Sequence, residues 1–318
     1  MSPHDILQAL SQQGLLAGDQ QKIIRDVEDK KPFSVHWELR AVLYAGVVLL
    51  SSGLGLLIYE NYDRIGHGFL LGAIATLCLG CFGFAAYYRA PWSPAQTRSR
   101  SPFGDYALLL GCLLFLSLEG YAQYEYTIFG TRYGLVTFIP AMLFLALAYL
   151  FDHRGVLSMA LTALISWVGL TVRPLDFFFK TNFFDQGITL SAIGLSLLLI
   201  AAALLLERRQ LKAHFTFTYL LMAGNLLLVA LVAGMFNFET WRFAFIAALF
   251  GSCVAFDRYA RNQRSFLFLL MSAVYGYIGL TYLVFHFGKP GNYLATFYFL
   301  TSGIGLVIYL LFNRRAVS

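Results

Sequence analysis

Glu119 is the residue whose chemistry makes the greatest demand on its surroundings. It lies in an apolar run, 106–126, long enough to cross a membrane, roughly 4–5 Å outward of the run's midpoint at about 1.5 Å rise per residue. A carboxylate at that depth must be protonated, paired or open to a wet cavity, which makes it a functional candidate by default. The alternative is a run shifted inward, so that Glu119 reaches the outer interface beside Tyr121, Tyr124 and Tyr126. Arg242 is the first expected partner, because its own apolar run reaches spanning length only if Arg242 enters the outer interface; Arg132, a short loop away from Glu119, is the second.

Other charged and aromatic residues fall on the same expected face. Glu60, Asp63 and Arg64 follow the first apolar run, and Glu239 and Arg242 flank Trp241. Acids and arginines beside exposed rings can hold a sugar or a lipid headgroup, the rings stacking and the guanidinium gripping anionic oxygens. Glu119, Arg132, Arg242, Glu60 and Trp241 form that candidate ligand set; the competing reading is an ordinary aromatic belt with neutralised charges. Phe177–Phe179 with Phe183 and Phe184 read as an interfacial loop.

Within the bilayer the polar residues read as packing devices. Asn225 sits at the centre of its run, where an interhelical hydrogen bond is its simplest use. Ser52-Gly53-Leu54-Gly55 recurs as Ser302-Gly303-Ile304-Gly305, so Gly53, Gly55, Gly303 and Gly305 mark two faces suited to close helix approach. Cys78 and Cys81 form a C-x-x-C with no His or further Cys at matching depth, and the six His form no spaced pair. No catalytic residue, metal site or cofactor is expected, and the reading leans away from an enzyme.

The elements that must carry these residues are transmembrane helices. The chain has 318 residues, 58% apolar and only 13% charged, where soluble domains carry roughly 25% charge. A water-soluble fold of this size could not bury so much apolar surface. A crossing needs about 20 apolar residues, and ten runs qualify: 41–59, 66–88, 106–126, 133–151, 155–172, 187–206, 215–235, 238–256, 265–286 and 293–312. Continuous runs of this length exclude the alternating strands of an outer-membrane barrel. With both termini in the cytoplasm, 17 of the 23 Lys and Arg fall on the cytoplasmic side. The net charge of +6 expresses that asymmetry; it points to the anionic lipid of the bilayer as partner and not to nucleic acid.

Residues 1–31 read as a cytoplasmic helical hairpin. Ser2, Pro3 and Asp5 open its first helix, Gly14 ends it, and Asp19 caps a second whose Ile23, Ile24 and Val27 repeat an apolar stripe. Two short helices bury too little to stand alone, so the hairpin is expected to dock on its own loops, on a second copy or on a protein partner. A juxtamembrane linker, 32–40, then leads to a ten-helix transmembrane domain, 41–318.

The order ILQALSQQGLLAGDQQKIIRDVED, a polar gap, then RAVLYAGVVLLSSGLGLLIYENYDRIG resembles the bacterial membrane family called domain of unknown function 2157. Its leucine-rich hairpin, and a first span ending in an Asn-aromatic pair (Asn61-Tyr62 here), carry the resemblance over about residues 5–90. It implies the architecture and no chemistry. The expectation is thus an all-α, polytopic, multi-pass inner-membrane protein with a structural, scaffolding or regulatory role. The alternatives are a carrier of small solutes or lipid-linked substrates with five-plus-five helices, and an enzyme acting on a lipid-linked glycan at the outer face.

Overall fold

A computed structural model describes residues 36–97, 101–130, 132–172, 186–288 and 291–317. The N-terminal hairpin and the aromatic loop around Phe177–Phe179 lie outside the described residues. The chain divides into two compact units, 1–50 and 51–318. Of the first, residues 36–50 form the opening turns of α1.

Ten long helices are described: α1 (His36–Ile65), α2 (His67–Tyr87), α3 (Pro102–Tyr126), α4 (Tyr133–Phe151), α5 (Arg154–Val172), α6 (Gln186–Arg208), α7 (Thr216–Asn237), α8 (Arg242–Asn262), α9 (Phe266–Gly288) and α10 (Asn292–Val317). No strand is present among the described residues. Nine of these helices are long and apolar enough to cross a membrane. The fifth expected span forms as α5, but its apolar helix, Arg154–Leu170, is shorter than the others. The expected 32–40 linker is already helical from His36, so α1 continues without a break through Glu38 and Arg40.

The helices follow from their sequences. Their apolar residues surround the axis instead of marking one face, as segments bathed in hydrocarbon require. Pro102 opens α3 at a position where its missing N–H costs nothing. Thr127 ends that helix in the left-handed region at φ 45°, its N–H bonded to the Gln123 carbonyl. The Gln123 side chain then secures the turn, donating to the Gly130 carbonyl at 3.1 Å and accepting from the Phe129 N–H at 2.9 Å. Pro140 sits inside α4 without ending it.

Packing proceeds by antiparallel hairpins. The most extensive contacts join α4 with α5, α6 with α7, α2 with α3, and α8 with α9. Every one of these hairpins turns on the same face, at 88–101, 152–153, 209–215 and 263–265, which is the basic face of the sequence reading. This rhythm has a period of two helices from α2 to α9.

α7 is the central helix and contacts α5, α6, α8 and α9. Lipid tails are as apolar as leucine, so burial alone gives little drive for helices to associate; close van der Waals approach does more. α7 supplies it through Ala223, Gly224, Ala230 and Gly234, all buried. A Cβ at Gly224 would fall 2.6 Å from the Phe256 ring, and one at Gly234 would overlap the ring of Phe245. Asn225 accepts a hydrogen bond from the Tyr275 hydroxyl, linking α7 to α9. The glycines marked from sequence behave otherwise. A Cβ at Gly53, Gly55, Gly303 or Gly305 would meet nothing within 4 Å among the described residues, so close packing there does not require glycine.

Candidate functional site

The densest polar chemistry lies under the hairpin turns of the basic face. α4 ends at Asp152, held in the left-handed region at φ 59°, and the α6–α7 connection places Gln210 and Lys212 there at φ 53° and 49°. These unusual backbone conformations turn two charged side chains inward. The Asp152 and Lys212 side chains are each 1% exposed, and Lys212 Nζ lies 3.0 Å from Asp152 Oδ2.

Thr97, in the α2–α3 connection, completes the carboxylate's surroundings. Its backbone N–H donates to Asp152 Oδ2 at 2.5 Å and its hydroxyl donates to the same oxygen at 3.0 Å. Lys212 in turn grips the α2–α3 connection, its backbone N–H donating to the Pro94 carbonyl at 2.8 Å and Nζ to the Ala95 carbonyl at 3.3 Å. On the other side of the carboxylate, His214 Nε2 lies 2.5 Å from Asp152 Oδ1. That contact is a close approach off the line of a hydrogen bond, since neither atom has an aligned partner among the described residues. Three hairpin turns therefore converge on one buried carboxylate.

The electrostatics follow from these contacts. Burial pushes the Asp152 carboxyl up, but the Thr97 and Lys212 hydrogen bonds and the His214 ring outweigh it and hold the carboxyl below its ordinary value. His153, next in the chain, moves down from its ordinary value because burial disfavours the imidazolium, although Asp105 and Asp152 oppose the shift. A neutral ring suits its bond, in which Nδ1 accepts the Val156 N–H at 3.2 Å and caps the start of α5. Tyr149 and Phe215 pack edge to face directly inward, at 5.2 Å between centroids, and the Tyr149 and Tyr219 hydroxyls meet at 3.2 Å.

An acid, an imidazole and a hydroxyl could be read as hydrolytic machinery, but the order of contacts is wrong for it. In a nucleophilic triad the hydroxyl bonds to the imidazole, which removes its proton. Here Thr97 and His214 both lean on the same carboxylate, so nothing activates the hydroxyl. The arrangement can do one thing well, which is to fasten three turns together by buried charge.

The candidate set drawn from sequence is distributed differently. Glu119 is buried on α3, and both its carboxylate oxygens lack a hydrogen-bond partner among the described residues. The expected ion pair with Arg242 is not made: Arg242 opens α8, and its buried Nε has no hydrogen-bond partner among the described residues. Arg132, at the start of α4, is exposed and is not paired with Glu119 either. Glu60 on α1 is exposed, and Trp241, just before α8, is 66% exposed. What the structure does join, at the end of α2 and α3 away from their connecting turn, is His67, whose Nδ1 lies 2.8 Å from the Tyr121 hydroxyl and whose Nε2 lies 3.4 Å from Glu125.

Cys78 bonds weakly to the Gly111 carbonyl at 3.4 Å, and no group of three His, Cys, Asp or Glu among the described residues could hold a metal. The Asp152 cluster was not foreseen from the sequence, where Lys212 counts only as one of the basic-side charges and the six His form no spaced pair. One signal was available. Asp152, His153 and Arg154 crowd a turn of minimal length between two apolar runs, where a lone acid needs cations from elsewhere.

Helices of this length and apolarity, joined by short turns, define a polytopic helical membrane protein. Residues 8–157 match the family model described as Predicted membrane protein (DUF2157), which extends the resemblance well past the second helix. The matched stretch contains Thr97 and Asp152, whereas Lys212 and His214 lie beyond it. No curated protein matches. No solved structure matches either.

Proposed function

We propose that this chain is a structural, scaffolding or regulatory component of the bacterial inner membrane. In this reading both termini face the cytoplasm and the N-terminal segment engages a protein partner or a second copy. The observation that carries it is the buried Asp152–Lys212–His214 cluster. It locks the α2–α3, α4–α5 and α6–α7 turns to one another, whereas alternating access needs helix groups that rock past each other. The cavities support the same reading: a slot of about 460 Å³ between α5, α6 and α7 is lined by residues such as Ile165, Ala192 and Val229 and by few polar groups. Lipid chains suit such a lining better than polar solutes do.

A second reading, a carrier of small or lipid-linked solutes, is favoured by Glu119, since a buried carboxylate without a partner is a natural proton or cation acceptor. One experiment separates the two. Photo-crosslinkers at positions 7, 10 and 24 should capture a discrete partner or a second copy in cells, while proteoliposomes loaded with a pH dye should show no flux above empty vesicles. Flux lost on Glu119→Gln, with no discrete crosslink, would replace the scaffold reading with the carrier. Impermeant thiol labelling from outside, at cysteines replacing Asp63 but not Gln210, tests the orientation.

A further inference from the structure

We propose that the groove between α8, α9 and α10 seats one anionic phospholipid from the basic-side leaflet. The groove measures about 620 Å³ and runs inward from Asp257 and Arg258 past Val254, Gly276, Leu280 and Leu306. It exists because α10 stands off: none of its described side chains is buried, and Gly276, Ser302 and Gly305 present little bulk along the gap. Ser302 and Gly305, from the glycine motif of α10, thus form part of one wall of this groove. Tyr277 and Ser302 close the polar gap between α9 and α10, their hydroxyl oxygens 3.0 Å apart.

Charge at the mouth selects the occupant. Asp257 is already neutralised by Arg261, which donates to its two oxygens at 2.9 and 3.4 Å and to Asn313 of α10 at 3.3 Å. Arg258 is exposed at the same level and has no ion-pair or hydrogen-bond partner among the described residues. An unpaired guanidinium above an apolar groove matches a headgroup phosphate above acyl chains. A basic pocket between helices on this face of a membrane protein is where anionic headgroups collect. The inference stands whether the helical body is a scaffold or a carrier.

Full-length protein in uncharged detergent, titrated with phosphatidylglycerol or phosphatidylcholine and read by native mass spectrometry, provides the test. Phosphatidylglycerol should be retained preferentially. Arg258→Gln should cut that retention about fivefold, the factor for one arginine near a headgroup, and leave phosphatidylcholine unchanged. Gly276→Leu should displace both lipids, since a Cβ there meets only Cys253 Sγ at 3.9 Å and the larger side chain would project into the groove. If that variant does not fold, Gly305→Leu, at a position open within 4 Å, makes the same block. Arg89→Gln, on the same face but away from the groove, should change nothing. Equal losses for Arg258→Gln and Arg89→Gln would show diffuse attraction to a basic surface and overturn the site. Displacement of phosphatidylglycerol by equimolar inorganic phosphate would show a free-anion site and overturn the lipid.

Discussion

Lys212→Met is the sharpest perturbation of the Asp152 cluster. Methionine keeps most of the lysine's length and apolar stem, so it removes the charge and the Nζ hydrogen bonds with little change in packing. What remains is a carboxylate whose side chain is 1% exposed, still bonded to Thr97 but stripped of its cation at 3.0 Å. Breaking a buried ion pair on one side costs about 3–5 kcal/mol, because the surviving charge is left desolvated. His214, 2.5 Å from the other carboxylate oxygen, can take a proton and recover part of that loss, which places the expectation near 3 kcal/mol. Adding Asp152→Asn removes the stranded charge and keeps an acceptor for Thr97, so the double variant should regain at least half of the loss. Arg209→Met, an exposed change in the same turn, should stay within about 0.5 kcal/mol of the parent. Reversible unfolding in mixed detergent–SDS micelles, followed by tryptophan fluorescence, measures all four proteins. A Lys212→Met loss no larger than that of Arg209→Met would refute the staple, as would a double variant whose losses simply add.

The cluster also sets an acid limit. His153 is depressed below its ordinary value, so the folded state binds fewer protons than the unfolded state as pH falls below about 6.5, and stability should decline from there; His153→Gln should diminish this upper phase in pH-dependent unfolding. Asp152 is also held low, so its contribution is complete above about pH 4 and is lost only as pH falls through its depressed folded value. Gly234→Ala should cost about 1–3 kcal/mol through overlap with Phe245, whereas Gly53→Ala, with nothing near its Cβ, should be neutral or slightly stabilising in the same unfolding assay. Glu119→Gln should leave stability unchanged or raised, since it removes a buried carboxyl group that finds no partner among the described residues. A large destabilisation on Glu119→Gln would reveal a partner for that carboxylate.

Membrane crossing was legible in the sequence because it depends on a local quantity, the apolarity of about 20 consecutive residues. Hydrocarbon leaves no other way to satisfy the backbone, so all ten runs became helices, α5 being the shortest in apolar length. Glu119 was visible for the same reason, as a charge in the wrong local solvent. Pairing was not local. Asp152 gains its partners from turns that are distant in sequence, and only the left-handed backbone at Asp152 and Lys212 directs both side chains under the bundle instead of into water. Nothing in a list of basic-side charges distinguishes Lys212 from Arg208 or Arg209. The glycines teach the same lesson from the other direction. Gly224 and Gly53 look alike in sequence, yet Gly224 belongs to a central helix against which Phe256 presses, and Gly53 to a helix with open space beside it. The apolar pattern of each run determined which segments enter the membrane. Which small residues carry contact, and which charges are buried, was decided by the order in which the hairpins pack.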